Sequence, residues 1–181
     1  MTIPNLITCL RIILTPIFII YIINGRFSSA LIIFILAALS DAADGLIARL
    51  FNQKSSLGAF LDPLADKILL TSAFIVLSIV NYIPSWLTVI VISRDILILF
   101  GVLFLLLREN DFTIKPSFLS KITTCLQLMV VFIVLSRKLI PFFSPFTDYL
   151  FWITGISTIT SGLHYMHFWF WMIGEENHKD R

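Results

Sequence analysis

Four aspartates lie close together in an otherwise apolar chain, at spacings that suit helices. Asp41 and Asp44 are three positions apart, and Asp62 and Asp66 are four positions apart. Both spacings put the two carboxylates of a pair on one face of a helix, with Cβ atoms about 5–6 Å apart. The whole chain has 11 acidic residues, so this group is a local concentration of negative charge. We interpret it as one four-carboxylate site.

The chemistry of such a site follows from its charge. Four neighbouring carboxylates in a low-dielectric environment cannot all stay ionised unless a cation neutralises them. An all-oxygen ligand set suits hard cations such as Mg²⁺, Mn²⁺ or Ca²⁺, whereas zinc would need cysteines or spaced histidines that this chain does not offer. Two divalent cations about 3.5–4 Å apart could clamp a pyrophosphate during phosphoryl displacement. We therefore predict two divalent cations, Mg²⁺ or Mn²⁺, at these aspartates.

Small residues and one arginine accompany the aspartates. Gly45 and Ala48 lie within about one turn after Asp44, and Gly58 lies about one turn before the second pair. They leave room for a bulky ligand, although close helix packing explains small residues equally well. Arg49 could hold a phosphate or a base edge with its planar guanidinium, or it could anchor the helix at a membrane surface.

The composition indicates that these residues belong to a membrane protein. Of the 181 residues, 58% are hydrophobic and 13% are charged, against about 45–50% and 25% in ordinary soluble domains. The mean hydropathy is +0.95. A net charge of +2 with scattered basic residues argues against a nucleic-acid partner. The protein is expected to be integral to a lipid bilayer.

Six apolar stretches have the length of a membrane span, which is about 20 helical residues. The predicted spans are residues 5–23, 28–49, 58–80, 84–107, 117–136 and 145–171. Short polar breaks, such as Asn24-Gly25 and Asn81-Tyr82, separate them. Because the connections are short and lipid offers no hydrogen-bond partners to the backbone, we expect an all-α, six-transmembrane-helix bundle that forms a single domain over residues 1–181.

The distribution of basic residues predicts the orientation of this bundle. Six spans put both termini on one side of the membrane, together with the connections after the second and fourth spans. That side carries Arg49, Lys54, Arg108, Lys115, Lys179 and Arg181, with Lys67 and Lys121 just inside. The other side carries Arg26, Arg137 and Lys138. The positive-inside rule makes the first side cytoplasmic, so a polar active-site cavity at the aspartates should face the cytoplasm.

The aspartates and their small neighbours form one continuous pattern, D-x2-D-G-x2-A-R-x8-G-x3-D-x3-D, from Asp41 to Asp66. At every position of this pattern the chain resembles the CDP-alcohol phosphatidyltransferase family. The resemblance implies a transferase with a six-helix dimeric fold, CDP-diacylglycerol as the donor and CMP as the leaving group. It also implies that Asp41, Asp44 and Asp62 bind metal, while Asp66 is both a metal ligand and the general base toward the acceptor hydroxyl. The residues that it assigns to the CDP site are Gly45, Ala48, Arg49 and Gly58.

Two further stretches resemble the glycerophospholipid branch of this family: I-P-N-L-I-T-C-L-R at residues 3–11 and S-R-D at residues 93–95. Asn5 could face the nucleotide, or it could cap the helix next to a proline. Arg94 and Asp95 lie in the middle of a predicted span, where an unpaired charge is costly. We place Arg94 toward the acceptor phosphate and interpret Asp95 as a counter-ion.

The fifth span has one polar face. Ser120, Thr124 and Gln127 recur with the helical period and are expected to face the bundle interior. Lys121 is adjacent to this face, and we predict that it binds the phosphate of the acceptor.

Two acceptors fit the resemblance: phosphatidylglycerol and glycerol 3-phosphate. Glycerol 3-phosphate is a dianion and needs several cations, whereas phosphatidylglycerol is a monoanion and needs fewer. Glycerophosphate-using members of the family have an Arg-Glu pair, another arginine eight residues later, and a Lys-x-Lys. Here the corresponding residues are Arg94-Asp95, Val102 and Lys121 with Thr123. The resemblance therefore favours the cardiolipin-forming branch, with transfer to glycerol 3-phosphate as the alternative.

A cation carrier is a distant alternative, because intramembrane carboxylates also line transport paths. The four aspartates are grouped at one predicted interface and not spread toward the middle of the membrane, and no broken helix is evident.

Overall fold

The computed structural model describes the backbone of residues 3–51, 56–107, 118–137, 139 and 145–179, and the side chains of residues 10–40, 67–101, 118–137, 139 and 145–167. The described backbone contains six α-helices in the order that the apolar stretches predict. They are α1 (Ile3–Ile23), α2 (Phe27–Phe51), α3 (Ser56–Ile79), α4 (Ser85–Leu107), α5 (Phe118–Ser136) and α6 (Thr147–Lys179).

The largest difference from the predicted boundaries is at the end of α6. The apolar pattern ends at Trp171, but the helix continues to Lys179 through a polar stretch that includes Glu175 and Glu176. Hydropathy marks only the part of a helix that suits lipid. Helical hydrogen bonds are internal to the backbone and continue wherever the residues permit.

The predicted turn between α1 and α2 is a helix cap that requires glycine. Gly25 has a φ of 70°, a conformation that glycine adopts without a Cβ clash. The Arg26 N–H donates to the carbonyl oxygen of Tyr21 at 2.9 Å, and the Gly25 N–H donates to that of Ile22 at 2.9 Å. This is the Schellman arrangement, which satisfies carbonyl groups at the end of a helix.

The predicted turn between α3 and α4 has the same form with asparagine in place of glycine. Asn81 has a φ of 60°. The Tyr82 N–H donates to the carbonyl oxygen of Leu77 at 2.8 Å, and the Asn81 N–H donates to that of Ser78 at 3.0 Å. Asparagine tolerates this left-handed conformation better than most residues. Both turns reverse the chain within a few residues.

The helices pack as two groups. Within the described residues, α1 packs on α2 and α3, while α6 packs on α4 and α5; contacts of α2 with α5 and of α3 with α4 and α5 join the groups. Apolar side chains fill the interior, with Phe18, Phe74, Leu77, Leu87 and Leu135 all at 0% exposure. The two groups therefore meet where α2 packs on α5 and where α3 packs on α4 and α5.

The surface of the bundle is unusually apolar. Ile13, Ile79, Phe100 and Trp152 are more than 50% exposed, whereas soluble proteins seldom expose large contiguous apolar areas. Polar side chains are buried instead, among them Arg94, Asp95, Thr123, Gln127, Thr158 and Ser161. Within the described residues, α5 is the one helix that is long and apolar enough to cross a bilayer by itself, and shorter apolar segments lie at 10–23, 27–40 and 67–79.

Candidate active site

The four aspartates lie on two consecutive helices at matched positions. Asp41 and Asp44 are in α2, Asp62 and Asp66 are in α3, and residues 52–55 connect the two helices. At a rise of 1.5 Å per residue, Asp41 and Asp66 each lie roughly 15 Å from the connection, and Asp44 and Asp62 each lie roughly 9–10 Å from it. Their side chains are outside the described residues, so the predicted metal-binding and catalytic roles stay predictions.

For the residues predicted to form the CDP site, too, the structure describes the backbone positions only. Asn5 is in the first turn of α1, Gly45, Ala48 and Arg49 are in the last third of α2, and Gly58 is in the first turn of α3. Their side chains lie outside the described residues. Except for Asn5, they lie at the end of α2 and the start of α3, which also carry the aspartates.

The side chain of Arg94 is described and ties three helices together. Its Nη1 donates to Asp95 Oδ1 at 2.7 Å, and its Nη2 donates to the hydroxyl oxygens of Ser120 in α5 and Ser161 in α6, the latter at 3.1 Å. The Arg94 side chain is 5% exposed. The expected counter-ion role of Asp95 is confirmed. For Arg94 to bind an acceptor phosphate, some of these hydrogen bonds would have to be exchanged, and that role stays a prediction.

Lys67 is a further charged residue of this cluster, which the sequence predicted only as one of the basic residues near the cytoplasmic side. Its Nζ lies 3.5 Å from Asp95 Oδ1, the same oxygen that accepts from Arg94. The Nζ atom is buried, and the described residues give it no hydrogen-bond acceptor. The signal was present in the sequence, because a lysine directly after Asp66 in an apolar helix carries a charge that is expensive in a membrane.

Two cavities meet at the Lys67–Asp95 pair. An inner cavity of about 170 Å³ extends between α2, α3 and α5, and its lining includes Ala37, Leu70 and Gln127. A second cavity of about 250 Å³ lies between α3 and α4. Its lining residues are Lys67, Ile68, Thr71, Ser72, Ile92, Asp95, Ile96 and Leu99. The ion pair contributes to the wall of both cavities.

The inward polar face of α5 is confirmed and is wider than predicted. Ser120 binds Arg94, and the buried Gln127 has its Nε2 atom 3.5 Å from Thr158 Oγ1 of α6. Thr123, which the sequence analysis did not include, is fully buried, and its Oγ1 lies 2.9 Å from Ser157 Oγ. Lys121 is exposed, so the structure does not bring it into the Arg94 cluster.

The donors available for a metal are the aspartates of the signature. Within the side chains that the structure describes, no three His, Cys, Asp or Glu residues come together. The four aspartates fall in the stretch 41–66, whose side chains are not described. A donor set of carboxylates alone fits Mg²⁺ or Mn²⁺ and does not fit zinc.

An all-helical bundle with an apolar surface, buried charges and an aspartate signature on adjoining helix ends defines a class of membrane enzyme. The family model for CDP-alcohol phosphatidyltransferases matches residues 1–171, and the chain belongs to this family. The family is embedded in membranes and generally uses divalent metal ions.

Similar curated proteins fall into two groups. Cardiolipin synthase (CMP-forming) of Rattus norvegicus and that of Homo sapiens are each 35% identical over 184 residues, which cover 92% of this chain and 61% of the relative. The chain thus spans about three-fifths of the length of these two proteins. CDP-diacylglycerol--glycerol-3-phosphate 3-phosphatidyltransferase of Bacillus subtilis is 35% identical over 182 residues, which cover 90% of this chain and 92% of the relative.

Proposed function

We propose that this chain transfers a phosphatidyl group from CDP-diacylglycerol to phosphatidylglycerol, which gives cardiolipin and CMP. The observation that carries the proposal is the family signature from Asp41 to Asp66, on the end of α2 and the start of α3. It is supported by the names of the rat and human relatives, which are CMP-forming cardiolipin synthases.

The aspartates would hold the metal on which the reaction depends. Asp41, Asp44 and Asp62 would act as ligands, with Asp66 as a fourth. Two bound divalent cations, Mg²⁺ or Mn²⁺, would neutralise the pyrophosphate of the donor and favour departure of CMP. The matched distances of the aspartates from the α2–α3 connection support a shared site.

Asp66 would also act as the general base. It would accept the proton of the terminal glycerol hydroxyl of the acceptor, whose oxygen then attacks the phosphorus attached to diacylglycerol. The bond between that phosphorus and the bridging oxygen breaks, and CMP leaves with the electron pair.

The remaining predicted residues would bind the two substrates. Asn5, Gly45, Ala48, Arg49 and Gly58 would line the CDP site, where glycines and alanine let the nucleotide approach the backbone and Arg49 pairs with phosphate. The predicted ligands of the acceptor phosphate are Arg94 and Lys121.

We further propose that the chain is a multi-pass protein of six spans. Its termini and its polar active-site cavity would lie on the cytoplasmic side of a bacterial inner membrane, or the matrix side of a mitochondrial inner membrane. The excess of basic residues on that side supports this orientation. The family resemblance also supports a homodimer.

Transfer to glycerol 3-phosphate, which gives phosphatidylglycerophosphate, is the second candidate. The specific observation in its favour is the Bacillus subtilis relative, which this chain matches over 92% of the relative's length at 35% identity. That relative's name specifies glycerol 3-phosphate as its acceptor.

Release of CMP by the purified protein tests the reaction class. In CDP-diacylglycerol vesicles with Mn²⁺ and either acceptor, we expect CMP release that a chelator abolishes and added metal restores. CMP release that persists at full rate in excess chelator would contradict the metal-dependent mechanism. Metal transport into sealed vesicles without CMP release would favour a cation carrier instead.

A further inference from the structure

The cluster of Lys67, Arg94 and Asp95 contains more positive than negative charge. Two cations share one carboxylate, and both lie within 3.5 Å of the same Asp95 oxygen. The described part of the cluster therefore has a net charge of +1. A buried cation is costly in apolar surroundings, and an anion bound in either of the adjoining cavities would stabilise it.

The two cations, Arg94 and Lys67, differ in the number of hydrogen bonds that they donate. Both terminal nitrogens of Arg94 donate hydrogen bonds, and its side chain is 5% exposed. Lys67 Nζ carries three donors, and no described residue accepts from it within hydrogen-bond distance. The Lys67 side chain is 33% exposed and lines both cavities. Lys67 is therefore the cation that can bind an added anion without loss of an existing hydrogen bond.

Lys67 lies between an enclosed cavity and a groove that opens to the surface. On one side, the inner cavity is lined mainly by apolar residues of α2 and α3, and it also presents the polar side chains of Thr124 and Gln127. On the other side, the cavity between α3 and α4 opens toward the apolar surface, where Ile96 and Leu99 are 48% and 49% exposed. An enclosed cavity that holds two polar side chains, a cation and a groove that opens to the apolar surface follow one another in that order. A lipid with a hydroxylated head, a phosphodiester and acyl chains has the same order of parts.

We propose that Lys67 binds the phosphodiester of the acceptor lipid, with the glycerol head in the inner cavity and the acyl chains along the α3–α4 groove. This inference rests on the proposed transfer to phosphatidylglycerol and names the residue that selects this acceptor. Lys67 then replaces Arg94 as the ligand of the acceptor phosphate in the proposed function, and Arg94 acts as a clamp between α4, α5 and α6.

The position of Lys67 along α3 suits this role. It directly follows Asp66, the proposed base, and consecutive Cα atoms are about 3.8 Å apart. In phosphatidylglycerol the reacting hydroxyl and the phosphodiester are separated by a three-carbon glycerol. An anchor for the phosphate next to the base therefore keeps the hydroxyl within reach of that base. One lysine also matches a phosphodiester monoanion better than the dianion of glycerol 3-phosphate.

The test is to compare Lys67→Met with wild type in steady-state kinetics. The KM for phosphatidylglycerol should rise at least about tenfold, while the KM for CDP-diacylglycerol changes less than about twofold. Lys67→Arg, which keeps the charge, should stay within about threefold of wild type for both substrates. Arg26→Met removes an exposed cation at the turn between α1 and α2 and is the matched control, with both KM values unchanged.

Thermal unfolding distinguishes a binding residue from a structural one. Lys67→Met leaves Asp95 paired with Arg94, so the unfolding temperature of the variant should equal or exceed that of wild type. In phosphatidylcholine nanodiscs, added phosphatidylglycerol should raise the unfolding temperature of wild type and Lys67→Arg, but not that of Lys67→Met.

Three results would overturn the inference while the proposed function stands. They are an unfolding temperature of Lys67→Met well below wild type, equal rises in both KM values, and a larger rise from Lys121→Met than from Lys67→Met. A wild-type protein that releases CMP only with glycerol 3-phosphate would overturn the proposed acceptor and this inference together. A wild-type protein that releases no CMP with either acceptor would overturn the proposed reaction itself.

Discussion

Asp66 carries the most demanding role in the proposed chemistry, because it is assigned both metal binding and proton acceptance. Asp66→Asn keeps an oxygen donor but removes the basic carboxylate. We expect turnover to fall at least about 100-fold, a usual scale for a missing general base, while Mn²⁺ and CDP-diacylglycerol still bind. CMP release and calorimetric titration measure the two properties. Asp148→Asn, at the exposed start of α6, is the control, and equal turnover in both variants would refute the assignment of Asp66.

Asp41 and Asp62 are expected to behave differently from Asp66, since their proposed role is metal binding alone. Asp41→Asn or Asp62→Asn removes a charged ligand from a shared site and should weaken Mn²⁺ binding measurably. Changes around a metal site commonly cost about 10–100-fold in affinity or activity. Calorimetric Mn²⁺ affinities that match wild type would show that these residues are not ligands.

The contacts of Asp95, Arg94 and Lys67 were not equally predictable from the sequence. The partner of Asp95 could be expected from the sequence, because Arg94 is its neighbour in an apolar helix. The hydrogen bonds of Arg94 to Ser120 and Ser161 could not, since they depend on how α4, α5 and α6 rotate against one another. The same holds for Lys67, whose ion pair with Asp95 joins two helices.

At the level of elements, two glycines of α6 face α4 and differ in how closely the side chains of α4 approach them. A Cβ at Gly155 would lie 2.7 Å from Trp86 Cζ3, whereas a Cβ at Gly162 would lie 3.7 Å from Arg94 Cγ. A movement of Trp86 that relieves the clash would disturb its ring contact with Trp152, whose centroid lies 4.8 Å from that of Trp86.

Alanine at these two positions should therefore have opposite effects. Each change gains about 1 kcal/mol in helix propensity, but overpacking at Gly155 costs about 1–3 kcal/mol. The net loss at Gly155 is up to about 2 kcal/mol, so we expect Gly155→Ala to lower the unfolding temperature by up to about 8 °C and Gly162→Ala to leave it unchanged or raise it. The measurement is thermal unfolding in detergent. A Gly155→Ala protein as stable as Gly162→Ala would show that α4 and α6 do not pack as described.

The order and the approximate bounds of all six helices could be predicted from the sequence, because apolar length and turn residues are local signals. Gly25 and Asn81 mark the two reversals correctly, since both residues tolerate the positive φ that the caps require. The end of α6 could not be predicted from hydropathy, because the helix continues through polar residues. Which helices pack together is a property of the whole sequence and has no comparable local signal.

At the scale of the whole molecule, the proposed topology predicts that the α1–α2 turn and the end of α6 lie on opposite sides of the membrane. In a background without Cys9 and Cys125, a single cysteine is introduced by Arg26→Cys or by Lys179→Cys. Six spans place Arg26 outside and Lys179 on the cytoplasmic side. A membrane-impermeant thiol reagent applied to intact cells or mitoplasts should label the first protein and not the second. Labelling of both proteins, or of neither, would contradict the six-span arrangement.

The proposed acceptor is phosphatidylglycerol, and the lipid that the protein forms shows whether it is used. The purified protein is incubated with CDP-diacylglycerol, Mn²⁺ and equal amounts of isotopically labelled phosphatidylglycerol and glycerol 3-phosphate, and the products are identified by mass spectrometry. We expect labelled cardiolipin with four acyl chains, together with CMP. Labelled phosphatidylglycerophosphate without cardiolipin would contradict the account and assign the chain to the glycerol 3-phosphate branch.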